Sequence, residues 1–152
     1  MNNRIIKFRV WDKPRNKYLG YPCFFNHLDF NEFTCFDRYF KCNEDDCAIQ
    51  QLTGFKDKNG IDIYEGDIIV VPDDYTEPIL DDGSGPTYPE NHVCAVVWGE
   101  ESAAFGVDIK ETANYLNKGF HSFENLKGEM GEDFFGKECE VIGNIFQNPE
   151  LL

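Results

Sequence analysis

Residues 51–71 read QLTGFKDKNGIDIYEGDIIVV, and this stretch decides the fold class. The alternation over residues 49–53 leads into it and predicts a short strand. Asp57-Lys58-Asn59-Gly60 follows. An Asn-Gly pair is the strongest short signal for a tight hairpin, because both residues accept positive φ. Beyond it lie Ile61 and Ile63, the turn Tyr64-Glu65-Gly66-Asp67, and then the run Ile68-Ile69-Val70-Val71. A β-branched run of this kind calls for a pleated, buried setting, and Gly66 lets the chain bend just before it. Pro72 withholds an amide donor and ends the strand.

Downstream, residues 72–91 (PDDYTEPILDDGSGPTYPEN) hold four of the seven prolines and a Gly-Ser-Gly run. The stretch is predicted as a solvated loop, since that composition supports no long element. The apolar stretch 92–98, HVCAVVW, and the alternation Phe105, Val107, Ile109 predict two further strands. With 68–71 they form consecutive strands of one antiparallel sheet. Residues 110–117 and 122–130 carry the helical material, with Ser122 as N-cap and Phe123, Leu126 and Met130 on one side. A last strand is expected over 138–146, with Cys139, Val141 and Ile145 inward and a bulge at Gly143. Ile69, Val96 and Val141 are the expected core.

Upstream, residues 5–11 (IIKFRVW) alternate with period two, and 12–16 have turn chemistry. A returning strand over 18–25 would complete an amino-terminal hairpin. Phe30, Phe33, Phe36 and Phe40 fit a helical stripe or short strands; the Asp and Asn residues around them favour irregular strand.

The chain has 152 residues, fourteen of them Phe and two Met, and a net charge of −14. That length fits one domain, with a core at about 48–152, an extension at 1–47 and the insertion at 72–91. Rigid rings suit a core between strands. The acidic balance disfavours nucleic acid and anionic membranes. Arg4, Lys7, Arg9, Lys13, Arg15 and Lys17 cluster at the amino end and read as the solvated face of an edge strand. There is no apolar run of membrane-spanning length and no signal-peptide pattern, so a cytoplasmic protein is expected. Six cysteines then read as reduced thiols. Cys23, Cys35, Cys42 and Cys47 are twelve, seven and five residues apart, not the two-to-four spacing of structural zinc. No metal or other cofactor is expected.

No phosphate loop, nucleophile elbow or zinc helix occurs. His27, His92 and His121 lack a short-spaced partner. The one acidic pair, Glu65 and Asp67, has a spacing that lets two carboxylates share a metal ion or a proton. Capping and solvating the Gly66 turn is the simpler role for both.

The segments IKFRVWD, QLTGFKDKNGIDIYEGDII and VIGNIFQNPELL resemble, in that order, the three recurrent blocks of the YopX family of bacteriophage and prophage proteins. The resemblance spans the start, middle and end of the chain. It implies a mainly β protein with an antiparallel, SH3-like barrel core, an amino-terminal hairpin extension and little helix; the Gly-Asp turn launching residues 68–71 also resembles the first strand of such barrels. It brings no substrate, cofactor or catalytic residue. The expected function is a non-catalytic protein-binding or assembly module, with a host, phage or self partner, contacting it through Tyr75, Ile79, Leu80 and Tyr88 of the insertion. A metal-dependent hydrolase or nuclease using Glu65 and Asp67, and an acidic DNA mimic, are the alternatives.

Overall fold

The computed structural model describes residues 6–19, 23–25, 33–35, 45–73, 91–112 and 116–152. The chain divides into two compact units, residues 1–54 and 55–152.

In the first unit, β1 (Phe8–Asp12) and β2 (Lys17–Tyr18) form the expected amino-terminal hairpin, with Trp11 opposite Tyr18. Asp12 holds its turn by accepting from the Arg15 amide at 3.0 Å and the Arg15 guanidinium at 2.6 Å. β1 also pairs antiparallel with β5 (Cys47–Lys56), from Phe8 opposite Gln51 to Asp12 opposite Cys47. Gln50 is buried on this sheet, and its Oε1 accepts from Arg9 Nε at 2.8 Å and Tyr18 Oη at 2.9 Å. The Arg9 guanidinium lies over the Tyr18 ring, and Trp11 meets that ring edge-on at 4.8 Å. Two members of the basic cluster therefore have structural partners: Arg9 is committed to Gln50 and Tyr18, and Arg15 to Asp12. β3 (Cys23–Phe25) and β4 (Phe33–Cys35) pair with each other, Cys23 opposite Cys35. The returning strand expected over 18–25 is thus divided between β2 and β3. Phe30, Phe36 and Phe40 lie outside the described residues.

β5 runs past Gly54 into the second unit and is followed by β6 (Asp62–Tyr64), its neighbour in the sheet order β2-β1-β5-β6. β7 (Asp67–Pro72), β8 (Asn91–Gly99), β9 (Ala104–Ile109), β10 (Gly119–Ser122) and β11 (Glu140–Asn144) form a five-stranded sheet in the order β10-β9-β8-β7-β11. All its pairings are antiparallel. The mainly β, antiparallel class stands, with two short helices, α1 (Phe123–Met130) and α2 (Phe134–Lys137). Ser122 caps α1 by accepting from the Asn125 amide at 3.2 Å. Residues 110–112 and 116–117 are not helical; Lys110 is instead drawn to Asp108 on the strand, at 2.8 Å.

One face of the five-stranded sheet is the core. Ile69, Val71, Cys94, Val96, Phe105, Val107 and Ile109 point to one side, where Phe123 and Leu126 of α1 and Phe134 and Phe135 of α2 cover them. The rings interlock at centroid separations of 4.5–5.5 Å, Phe55 joining Phe123 and Phe135. Of the expected core residues, Ile69 and Val96 are buried and Val141 is partly buried against the cluster. Ile145, expected inward, is exposed. The register of β11 slips between Val141 and Gly143, and the strand ends at Asn144, so alternation counted from Cys139 does not reach it.

On the opposite face, Phe120 lies across β9 onto β8. A Cβ at Gly106 would stand 2.2 Å from the His121 carbonyl oxygen and 2.6 Å from the Phe120 ring, and one at Gly99 would stand 2.4 Å from the same ring. Side-chain-free positions are what let this aromatic lie flat against the strands.

Two stability outcomes follow. Ile69→Ala leaves a cavity in the sheet–helix core and should cost about 2–5 kcal/mol in urea unfolding. A loss under about 0.5 kcal/mol would place Ile69 at the surface. Gly106→Ala meets backbone rather than a flexible tip and should destabilise by about 1–3 kcal/mol.

Candidate functional site

The contact residues Tyr75, Ile79, Leu80 and Tyr88 lie outside the described residues. The acidic pair Glu65 and Asp67 lies within them. Asp67 is 2 % exposed, and its Oδ2 accepts from the Tyr64 amide at 2.8 Å, across the turn that Gly66 closes with φ 76°. The Gly66 amide donates to Val96 O, and its carbonyl accepts from the Ile145 amide. One Asp67 oxygen is therefore spent on the turn that launches β7. Glu65 is partly exposed. Among the described residues, no group of three or more His, Cys, Asp or Glu side chains is placed to hold a metal ion.

A heavily bonded carboxylate that the sequence did not single out is Asp57. Asp57 is 1 % exposed. Its Oδ1 accepts from the Asn59 amide at 2.8 Å and the Ile61 amide at 2.9 Å, and its Oδ2 accepts from the Val141 amide at 3.1 Å. Residue 141 is eighty-four positions away, so one side chain ties the β5–β6 turn to β11. The Lys58 amide adds a second tie to Cys139 O at 3.0 Å, and Lys58 Nζ pairs with Glu140 at 2.7 Å. Burial by itself would raise the Asp57 pKa, but the amides of Val141, Ile61 and Asn59 together hold it below the usual value of 3.8. The turn is also not the two-residue type expected from Asn-Gly. Gly60 has φ 78°, whereas Asn59 is not among the positive-φ residues. The Gly60 amide bonds Asp57 O at 2.9 Å, and the Asp57 amide bonds Ile61 O at 2.9 Å. This is a longer turn with one left-handed residue before the strand resumes. The aspartate, not a second left-handed residue, fixes its shape.

A second buried polar pair was also invisible in the sequence. Asp73, fully buried, has Oδ2 3.1 Å from His92 Nε2 and 3.2 Å from the Leu116 amide. The imidazole tautomer sets which of the two donates. Asp73 had been expected to solvate the 72–91 loop. Instead β7 pairs with β8 out to Pro72 opposite Asn91, and His92 stands opposite Val71 on the inward face. That register brings Asp73 beside His92, and the imidazole together with the Leu116 amide offsets its desolvation. Nineteen residues separate the pair, so only knowledge of the strand register would have found it.

Cys94 and Cys139 are free and buried. Burial first, then the neighbouring Asp108 for one and Glu138 for the other, pushes their thiols up to about 11 and about 12. Both are inert core groups at neutral pH. Cys47 is disulfide-bonded, which corrects the expectation of six reduced thiols: that expectation rested on a reducing compartment inferred from the missing export signal, which does not fix which cysteines become bonded.

The second unit carries 21 acidic residues against six lysines, and most of these lysines are paired. Lys56 pairs with Asp62, Lys110 with Asp108, Lys127 with Glu124 and Glu132, and Lys137 with Asp133. Exposed pairs of this kind contribute little stability.

The pattern "YopX protein" matches residues 7–152. The chain belongs to the YopX family. Two solved structures share the fold along nearly the whole length. Protein EF1440 from Enterococcus faecalis is 25 % identical with a TM-score of 0.55, the likeness covering 99 % of each chain. Protein yopX from Bacillus subtilis is 20 % identical with a TM-score of 0.54, covering 96 % of this chain and 97 % of its own. No curated protein matches. In this YopX-family chain the second and third sequence blocks meet at Asp57, which bonds Val141. Among the described residues no helix is long and apolar enough to cross a membrane.

The Asp57 geometry generates a pH expectation. A carboxylate whose pKa is depressed by folding contributes stability that is fully present above its unfolded pKa of about 3.9 and is lost as pH falls through the folded value. Asp57→Asn should cost about 1–3 kcal/mol at neutral pH, since it leaves amides unpaired. It should also flatten the loss of stability on acidification below about pH 4. Urea titrations of both proteins across that window check the sign; an unchanged acid slope would remove Asp57 from the account.

Proposed function

We infer that this YopX-family protein is a non-catalytic, protein-binding module of a phage or prophage programme, acting in the bacterial cytoplasm. The observation that carries the reading is the distribution of side chains in the second unit. The buried polar groups Asp57, Asp67 and Asp73 each bond backbone amides, while large apolar groups remain at the surface. Trp98 is 43 % exposed and Phe120 38 % exposed, near the β8–β9 turn. Tryptophan, tyrosine and phenylalanine are the residues that most often anchor protein contacts. Trp98 is already braced edge-on by Phe105 at 4.9 Å. A ring held in place in the free protein loses little side-chain entropy on contact. Tyr75, Ile79, Leu80 and Tyr88 of the 72–91 insertion extend the proposed contact set.

The test is affinity capture from host lysate with the full chain, a Trp98→Ser/Phe120→Ser variant, and a chain lacking residues 74–89. Sedimentation of the purified protein in parallel separates self-association from a foreign partner. A stoichiometric partner retained by the full chain and weakened at least about tenfold, a loss of about 1.4 kcal/mol, by one of the two changes is the expected outcome. No partner with any of the three, together with a monomer in sedimentation, would overturn the reading.

A further inference from the structure

The turn at Asp57 encloses the one Asn-Gly pair in the chain, Asn59-Gly60. Asn-Gly carries an intrinsic reactivity that other Asn-X bonds have in lesser degree, because glycine leaves the following backbone nitrogen unhindered. The Asn59 side chain is exposed, and no atom lies within 4 Å of where a Gly60 Cβ would be. Sterically, the site is open. The hydrogen bonding is the opposite. Every backbone amide from Asp57 to Ile61 is committed: Asp57 to Ile61 O, Lys58 to Cys139 O, Asn59 and Ile61 to Asp57 Oδ1, and Gly60 to Asp57 O at 2.9 Å.

We propose that Asn59-Gly60 is a latent modification site, a succinimide-forming bond kept unreactive by Asp57, so that opening of this turn is recorded covalently. The chemistry is internal to the chain and needs only water. The Gly60 nitrogen loses its proton to solvent base and attacks Asn59 Cγ. The new C–N bond forms as the side-chain amide departs as ammonia, closing a five-membered imide. Water then adds to one of the two imide carbonyls and cleaves its bond to nitrogen. Cleavage at Cγ gives aspartate; cleavage at the backbone carbonyl gives isoaspartate, with the chain rerouted through Cβ and Cγ. The net change is replacement of the amide NH2 by OH. The attacking nitrogen is the one whose N–H is donated to Asp57 O, and the backbone amide of Asn59, the residue it would attack, is held on Asp57 Oδ1. The reaction therefore requires the turn to open, and its rate falls by the opening equilibrium.

The product also cannot restore the turn. An aspartate or isoaspartate at position 59 is a second anion two residues from a buried carboxylate, and like charges so close repel. Isoaspartate further lengthens the backbone inside a turn whose five amides are all fixed. The tie to β11 through Val141 and Cys139 would weaken with it, which makes the modification one-way.

The experiment follows deamidation of Asn59 by peptide mass analysis, with isoaspartate methyltransferase labelling, in mildly alkaline buffer at one pH. The native chain, the urea-unfolded chain and folded Asp57→Asn are compared. The native rate should be at least about tenfold below the unfolded rate, each 1.4 kcal/mol of opening free energy being a factor of ten. Asp57→Asn should move most of the way to the unfolded rate. Equal rates in native and unfolded wild type, or a folded Asp57→Asn variant no faster than wild type, would overturn the proposal. Should Asp57→Asn fail to fold, wild type in urea below its transition gives the same decision. Deamidation must there rise in step with hydrogen exchange of the Gly60 amide, and a deamidation rate indifferent to that exchange would equally overturn it.

Discussion

The carboxylate of Asp57 is the constraint on which the second unit turns. A buried anion is costly unless its oxygens are bonded, and here three backbone amides from two distant segments do this. Two of those amides belong to its own turn. The third belongs to β11, which pairs with β7, whose other neighbour is β8. The same side chain that shapes the β5–β6 turn therefore bonds the last strand of the sheet. The Lys58–Cys139 backbone bond and the Lys58–Glu140 pair lie beside it.

The remainder of the second unit is organised by aromatic rings of two kinds. Phe55, Phe123, Phe134 and Phe135 fill the space between sheet and helices, and their edge-on and tilted contacts give a rigid core. Phe120 and Trp98 are on the surface, yet each is braced, Phe120 by the Gly99–Gly106 trough and Trp98 by Phe105. Asp57, Asp67 and Asp73 hold turns and strand ends, and Cys94 and Cys139 are thiols that burial keeps protonated. What faces solvent with large contact potential is carbon, which is why the functional reading rests on recognition.

The strands were legible from local patterns: alternation near 8–12, 47–56 and 104–109, and apolar runs near 67–72 and 91–99. Ser122 as helix cap was legible for a similar reason, since capping is a local hydrogen bond. Ile145 was misplaced because a bulge shifts the parity of everything after it. Of the candidate site, the Glu65-Asp67 pair was visible as spacing, and its turn-capping role was the simpler of the readings. Asp57 looked like one more turn residue, and Asp73 like one more loop acid.

The sequence by itself determined the class of the fold, the order of the strands along the chain and the family, because alternation, turn chemistry and ordered blocks are local properties of the chain. Only the tertiary structure decided which acids are buried and what they bond. Asp57 meets Val141 across eighty-four residues and Asp73 meets His92 across nineteen. No local rule encodes such meetings. They depend on strand register, and register is set by the packing of the whole sheet against its helices.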